Sequence, residues 1–535
     1  MMKKIALPGF VIICVAVMLF SGCASGNKGT SASLAKEQAG VNAASTTENA
    51  NGTTLVYGSA DYTRINPALD EHGEINSLIF DGLTEHDENN EVKPCLAKSW
   101  DYDESAHKYT FHLRDDVYWH DGKKFTADDV KFTIEAIMDP KNESEIASNY
   151  EDITSIDITD ANTVSFTLKN TNAAFLDYMT IAILPKHCLE GENMQESAFF
   201  RAPVGTGPYK LVKWDAGQSI ALAKNDRYFK GAPKIDNIVF KIVEDDNLQA
   251  VQLQTGEINM ALITPALAQN FKTNSAYKVY TMDTSDYRGI MYNFNNDFWK
   301  NNRELIKAFN YAFDRKAMLD TVFLGEGEVA YGPLQMNKYN DASVEKYSYA
   351  PQRAKQLIEA AGWQMGNDGY YYKDGEKLSF VLTAKEGEQE RIDLANIASQ
   401  QLKAVGVECK VEITSNPDWE SQSAYLIGWG SPFDADDHTY KVFGTGKGNN
   451  YSAYSNAKVD EYLTKARETF DVKEREKYYD LFQQELAADP AYSFFTYIDA
   501  NYVTNEKISG ITEKTLLGHH GVGIFWNVEQ WSIEA

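Results

Sequence analysis

Apolar and polar residues alternate in several short stretches of the chain. Tyr109, Phe111 and Leu113 share one side of an extended segment, as do Val164, Phe166 and Leu168, then Ile238, Phe240 and Ile242, then Cys409, Val411 and Ile413. A period of two puts such residues on one face of a strand, so half-buried β-strands are predicted at all four places. Between them the spacing becomes helical. Thr126 and Asp129 form an acidic capping box ahead of Val130, Ile134, Ile137 and Met138, which predicts a helix starting just after Thr126. Pro351 suits a first helical turn, Leu357, Ile358 and Ala361 continue the pattern, and Gly362 closes it. Helical patterns also run near 303–319, 391–404, 457–470 and 473–488. No repeat of roughly 20–50 residues is present, which argues against a solenoid or propeller. The predicted class is α/β.

Length and charge narrow this further. The chain has 535 residues, and hydrophobic cores stop growing near ~250–300 residues, so two or more domains are expected. With 43% hydrophobic and 24% charged residues the body is ordinary globular protein. The 77 acidic residues outweigh 51 basic ones for a formal charge of −26. No basic face is available for phosphate contacts, so no nucleic-acid partner is expected.

The first residues bear on compartment. A basic start at Met1 to Lys4 precedes an apolar run from Ile5 to Phe20, short for a permanent span but suited to a signal peptide. It ends in Phe20-Ser21-Gly22-Cys23, which resembles the lipobox of bacterial lipoproteins, with Phe20 where Leu is usual. That resemblance implies cleavage before Cys23 and a lipid anchor on Cys23. The stretch to Gly52 is small and polar and cannot offset its ordering entropy by burial, so it reads as a flexible tether. Cys95, Cys188 and Cys409 remain, far apart and odd in number, and imply no disulfide framework, although one pair could form.

Catalytic motifs are missing. The chain has no Gly-x-Ser-x-Gly, His-Glu-x-x-His or Cys-x-x-Cys. Gly444-Thr445-Gly446-Lys447 is followed by Gly448 where a phosphate loop requires Ser or Thr, and Asp434, Asp436 and Asp437 lack the Gly and Glu of a calcium loop. His519 and His520 are adjacent, and on a strand they would point to opposite faces. No enzyme activity and no cofactor are expected.

Lys108 to Gly122 (KYTFHLRDDVYWHDG), continuing through Phe125 to Val130 (FTADDV), resembles the signature of bacterial extracellular solute-binding proteins of family 5. These are the oligopeptide-, dipeptide- and nickel-binding components of ABC importers. Three further blocks come in family order: Val204 to Lys210 (VGTGPYK) with Asn225 to Phe229 (NDRYF), Ala308 to Arg315 (AFNYAFDR), and Gly428 to Gly430 with an acidic tail. The resemblance spans roughly residues 53–535.

It implies a periplasmic-binding-protein type II-like fold, two α/β lobes around a cleft with an extra domain, three domains in all. Domain I would hold 53–84, 205–295 and 499–535, domain II 85–204, and domain III 296–498, after a signal peptide (1–22) and lipidated tether (23–52). It further implies hinge closure on a solute, delivery to a permease whose own ATPase supplies the energy, and a monomer anchored by lipid on the outer face of the cell membrane. That face is extracellular in a Gram-positive and periplasmic in a Gram-negative cell. Matched to family sites, the solute contacts would be Asp61 and Tyr62 after the first strand, a wall of Trp429 and Phe433, Ser431, charge partners Asp434 and Asp437, and His438. A peptide is the first expectation. The position matching the family's amine-binding Asp falls near Ser431 or Pro432, which are not anions, and Trp429 to Asp434 looks like nickel-type members. A nickel or other metal chelate is therefore the alternative, although no Arg lies between Arg114 and Arg201, where those members hold chelator carboxylates.

Overall fold

The computed structural model describes residues 52–70, 73–418 and 421–534. The expected signal peptide and Cys23 lie outside the described residues.

Chain order begins with β1 (Thr54–Ser59), β2 (Ala97–Asp103), β3 (Lys108–Leu113), helix α1 (Ala127–Met138), β4 (Ile153–Asp160) and β5 (Thr163–Leu168). Next come α2 (Phe175–Tyr178), α3 (Lys186–Leu189), β6 (Tyr209–Asp215), β7 (Ser219–Lys224), β8 (Asn237–Ile242), α4 (Asp246–Thr255), β9 (Met260–Ile263) and the long β10 (Lys278–Tyr292). The later part supplies β11 (Ser379–Lys385), α5 (Gln389–Ala404), β12 (Glu408–Thr414), β13 (Ala424–Trp429), α6 (Ala457–Arg467), α7 (Val472–Ala488) and the long β14 (Tyr492–Thr504).

Alternation is a sound guide to the strands. Tyr109, Phe111 and Leu113 are buried, and so are Val164, Phe166 and Leu168. The two faces are one, because β3 and β5 pair with Tyr109 opposite Phe166 and Phe111 opposite Val164. Ile413 departs from its pattern and is exposed, since β12 is an edge strand with one neighbour. In α1 the Thr126 N–H donates to Asp129 at 2.9 Å, closing the capping box. The pattern over 303–319 forms two helices, Glu304–Asn310 and Arg315–Val322. The break falls where buried Arg315 donates to the carbonyls of Asn310, Tyr347 and Phe494, and where Asp314 caps the second helix.

One sheet runs through both halves in the order β12-β11-β13-β10-β14-β9-β1-β8-β7-β6. A second sheet, β2-β3-β5-β4, shares a hydrophobic core with the β1 side, through residues such as Leu55, Phe111, Phe166 and Phe240. A separate core surrounds β11 and β13, built from Ile290, Phe309, Leu382, Leu426 and Phe482 among others. The change of core falls within the two long strands. Tyr280, Met282, Ala500 and Tyr502 belong to the first core, whereas Tyr287, Ile290, Phe494 and Tyr497 belong to the second. At that point β10 is irregular, its register shifting between Asp283 and Tyr287. Two lobes are thus joined by two crossing strands, with the change of core in β10 between Met282 and Tyr287. Cys95, Cys188 and Cys409 are all free thiols.

Candidate functional site

Parallel strands direct their carboxyl ends, and the loops beyond them, to one edge of a sheet, where α/β proteins bind ligands. In the first lobe β1 is parallel to β8 and β9, and in the second β11 is parallel to β12 and β13. The β8 end leads to Asp246, the β11 end to Glu390 and Arg391 at the start of α5, and β13 ends at Trp429. The irregular segment of β10 contributes Asp286 and Arg288. A short turn, His519–Gly521, is brought beside it by the bridge between Thr284 and Leu517.

These residues form one charged cluster. The carboxylate of Asp286 is fully buried; it is hydrogen-bonded to His519 Nδ1 at 2.8 Å, accepts the His520 N–H at 2.9 Å, and pairs with Arg288. Burial pushes that carboxyl upward, but Arg288 and His519 more than offset it and hold it well below the usual carboxylate range. Arg391 is also buried and pairs with Glu388 at 2.7 Å. Its guanidinium lies beside that of Arg288 over Gly428, where any side chain would collide with both. Burial, reinforced by the neighbouring Arg288, lowers the Arg391 pKa. Burial likewise pushes Glu390 up to about 7, opposed by Arg288 and helped by Asp246 across the cleft.

His519 and His520 do not lie on a strand. His520 takes a left-handed backbone (φ 56°), and the two ring centroids are only 3.9 Å apart. Trp429 flanks them, its ring 6.0 Å from His519. His520 keeps an exposed edge, and burial of its ring, then His519, lowers its pKa; burial likewise lowers that of His519, opposed by Asp286. Such a site can grip carboxylates through guanidinium forks, an ammonium through Asp246 and Glu390, and a metal through imidazole nitrogen.

The remaining expected contacts are distributed differently. Asp61 accepts the N–H of Gly217 and of Tyr62, both at 2.8 Å, tying the loop after β1 to the β6–β7 turn. Tyr62 packs edge-on against Phe240. These two line a recess with Arg64 and Arg201, apart from Trp429. The acidic run is neither a solvated loop nor a free negative field. Asp434 receives two hydrogen bonds of 2.7 Å from Arg475, Asp436 is gripped by Arg467 at 2.7 and 3.1 Å, and Asp437 pairs with Lys441 at 3.2 Å. Ser431 Oγ accepts the Phe433 N–H at 3.3 Å, and His438 is buried with Nε2 on the Pro333 carbonyl at 3.0 Å.

This segment instead joins the lobes. Phe433 stacks on His86 with centroids 3.9 Å apart, and the Tyr178 hydroxyl donates to Asp436 at 2.5 Å. Arg467 reaches Asp152 at 3.3 Å, and Lys447 pairs with Glu151 at 2.5 Å. The cleft is closed. Sequence reasoning brings Trp429 and the histidine pair into view but misses Asp246, Asp286, Arg288, Glu390 and Arg391. The arginines come from the crossing strand and the second lobe, outside the 114–201 interval where the resemblance places them. Arg391 does carry a sequence signal, since it stands at the start of the helical pattern near 391–404.

Two lobes around a closed, charged cleft, joined by a pair of crossing strands, define a solute-binding protein of the hinged kind. The chain belongs to the bacterial extracellular solute-binding proteins, family 5, whose middle-region model matches residues 91–451. It is similar to the oligopeptide-binding protein AppA of Bacillus subtilis, at 32% identity over 558 aligned residues and 99% of both chains. Among solved structures it resembles NikZ of Campylobacter jejuni in complex with Ni(L-His), at 39% identity and a TM-score of 0.85, over 90% of this chain and 99% of that one. AppA of B. subtilis in complex with a nonapeptide matches with 31% identity, a TM-score of 0.81 and the same coverage. The protein is the solute-binding component of an ABC importer. No helix among the described residues is long and apolar enough to cross a membrane.

Proposed function

We propose that the captured solute is a small nickel chelate bearing carboxylates, held beside the crossing strands by His519, His520, Arg288 and Arg391. The observation that carries this reading is the side-by-side imidazole pair backed by Asp286. A carboxylate on Nδ1 fixes a histidine so that its other ring nitrogen serves as the metal ligand. The two buried guanidinia supply planar recognition of the chelator's carboxylates. The internal pairing of Asp434, Asp436 and Asp437 removes the argument for a cationic solute at that segment. The likeness to a NikZ that carries Ni(L-His) supports the same reading.

A peptide is the second reading. The AppA likeness favours it, as does a cavity of about 1420 Å³, open mouth included, that adjoins the cluster. Glu74, Asp81, Phe433 and Trp526 line it, and Leu516 and Val522 flank the histidine turn.

Thermal unfolding of the mature chain with Ni(II) and L-histidine tests the choice. Ligand at a hundredfold excess over its Kd stabilises by about 2.7 kcal/mol, so a clear rise in Tm is expected, abolished by EDTA and absent in the His519→Ala/His520→Ala variant. A Tm indifferent to nickel and EDTA, with peptide masses ejected from the native protein in a mass spectrometer, overturns the nickel reading for the second.

The further parts of the role are that no bond is made or broken, that Cys23 carries lipid holding a monomer to the outer face of the membrane, and that the closed form docks on a permease with separate ATPase subunits. The basic start, apolar run and Cys23 of the first 23 residues support the anchor.

A further inference from the structure

Where α3 packs on α1, apart from the charged cluster, three different donor types meet. Asp121 sits in the turn after Trp119, and His187 and Cys188 are neighbours on α3. One ligand atom from each lies within 4.8 Å of the other two. His187 Nε2 is hydrogen-bonded to Asp121 Oδ2 at 2.7 Å, and the Trp119 ring stands edge-on to His187 at 6.1 Å. Asp121 is also held by the Lys123 N–H at 3.0 Å, so its carboxylate is oriented from two sides. The His187 and Asp121 side chains are 22% and 31% exposed, and Cys188 is half-buried. A cation and its water can therefore reach them.

We propose that Asp121, His187 and Cys188 form a second, peripheral site for a borderline divalent cation of the zinc class, with water as fourth ligand. Imidazole, thiolate and carboxylate together suit such ions, and hard cations such as calcium or magnesium do not take thiolate. Metal–donor bonds of about 2.0–2.3 Å in a tetrahedron put donors about 3.3–3.8 Å apart. The 2.7 Å between His187 Nε2 and Asp121 Oδ2 opens, and the spacings to Cys188, at most 4.8 Å, adjust to that range by side-chain movement of about an ångström. His187 Nε2 turns from Asp121 to the ion, with the neutral imidazole's single proton on Nδ1. The Cys188 thiol loses its proton to solvent, so binding releases one proton per ion and strengthens as pH rises. The neighbouring Asp129 carboxylate is held by the N–H groups of Lys186 at 3.0 Å and Thr126 at 2.9 Å.

Cobalt(II) distinguishes this site from the cleft, because the cleft cluster contains no thiol and a thiolate ligand gives cobalt an ultraviolet charge-transfer band. Equimolar cobalt added to the mature chain is expected to produce that band. Zinc should displace it, and both Cys188→Ser and His187→Ala should abolish it. Asp121→Asn should weaken cobalt binding about 10- to 100-fold, and His519→Ala/His520→Ala should leave the band intact. Absence of the band in the unaltered protein, or its persistence in Cys188→Ser, overturns the proposal. Neither result bears on nickel capture at the cleft, which is read by the thermal shift.

Discussion

Glu74 lies beneath two phenols, accepting from Tyr57 at 3.0 Å and from Tyr502 at 3.0 Å. Burial nevertheless raises its carboxyl to about 7, from an ordinary value of 4.5. Between those values the unfolded chain has released a proton that the folded protein keeps, so stability falls as pH rises through this window. Glu74→Gln should flatten that part of the profile, with Tm changing less from pH 5 to pH 8 than in the unaltered protein. Equal slopes from scanning fluorimetry would acquit Glu74. Nothing in its polar surroundings in the sequence marks this residue, because its partners on β1 and β14 arrive only with the fold. The acidic run at 434–437 teaches the same lesson in reverse. Its charges are legible, but Arg467 and Arg475, which neutralise Asp436 and Asp434, lie 31 and 41 positions further along on other helices.

Elements are legible where the signal is local. The capping box before α1 and the Pro351–Ala360 helix closed by Gly362 need only neighbouring residues. The 303–319 pattern breaks because Arg315 answers to carbonyls of two distant segments, at Tyr347 and Phe494, which no periodicity records. At this scale the contact of α2 with the 433–436 segment has a measurable role. Tyr178→Phe deletes a hydrogen bond to a buried carboxylate, a class worth about 1.5–3 kcal/mol, part of which water returns when the lobes part. Asp436 keeps Arg467, so the fold should stand with little change in Tm. The solute-free protein should shift several-fold toward the open form, seen as a longer distance between dyes placed on the two lobes. An unchanged distance distribution would remove this contact from the closure mechanism.

For the whole molecule, four blocks in family order make the two-lobed architecture legible, while the position of the core change within β10 is not. Sequence periodicity does not say that one strand serves two cores in turn. The proposed anchor belongs to this scale too: Cys23→Ser should abolish palmitate incorporation and move the protein from the membrane fraction to the soluble one, with its melting curve unaltered. Asp286, Arg288 and His519 sit at the crossing strands, whereas Arg467 on Asp152 and Lys447 on Glu151 are carried by neither strand. A rotation displaces each atom in proportion to its distance from the axis, so the solute acts on a short lever arm and those outer ion pairs on a long one. A cargo slightly too bulky beside the axis holds the far rim open by a larger gap. Under the proposed docking, the rim would serve as a mechanical gauge, giving a permease a magnified reading of how well the hidden cargo fits.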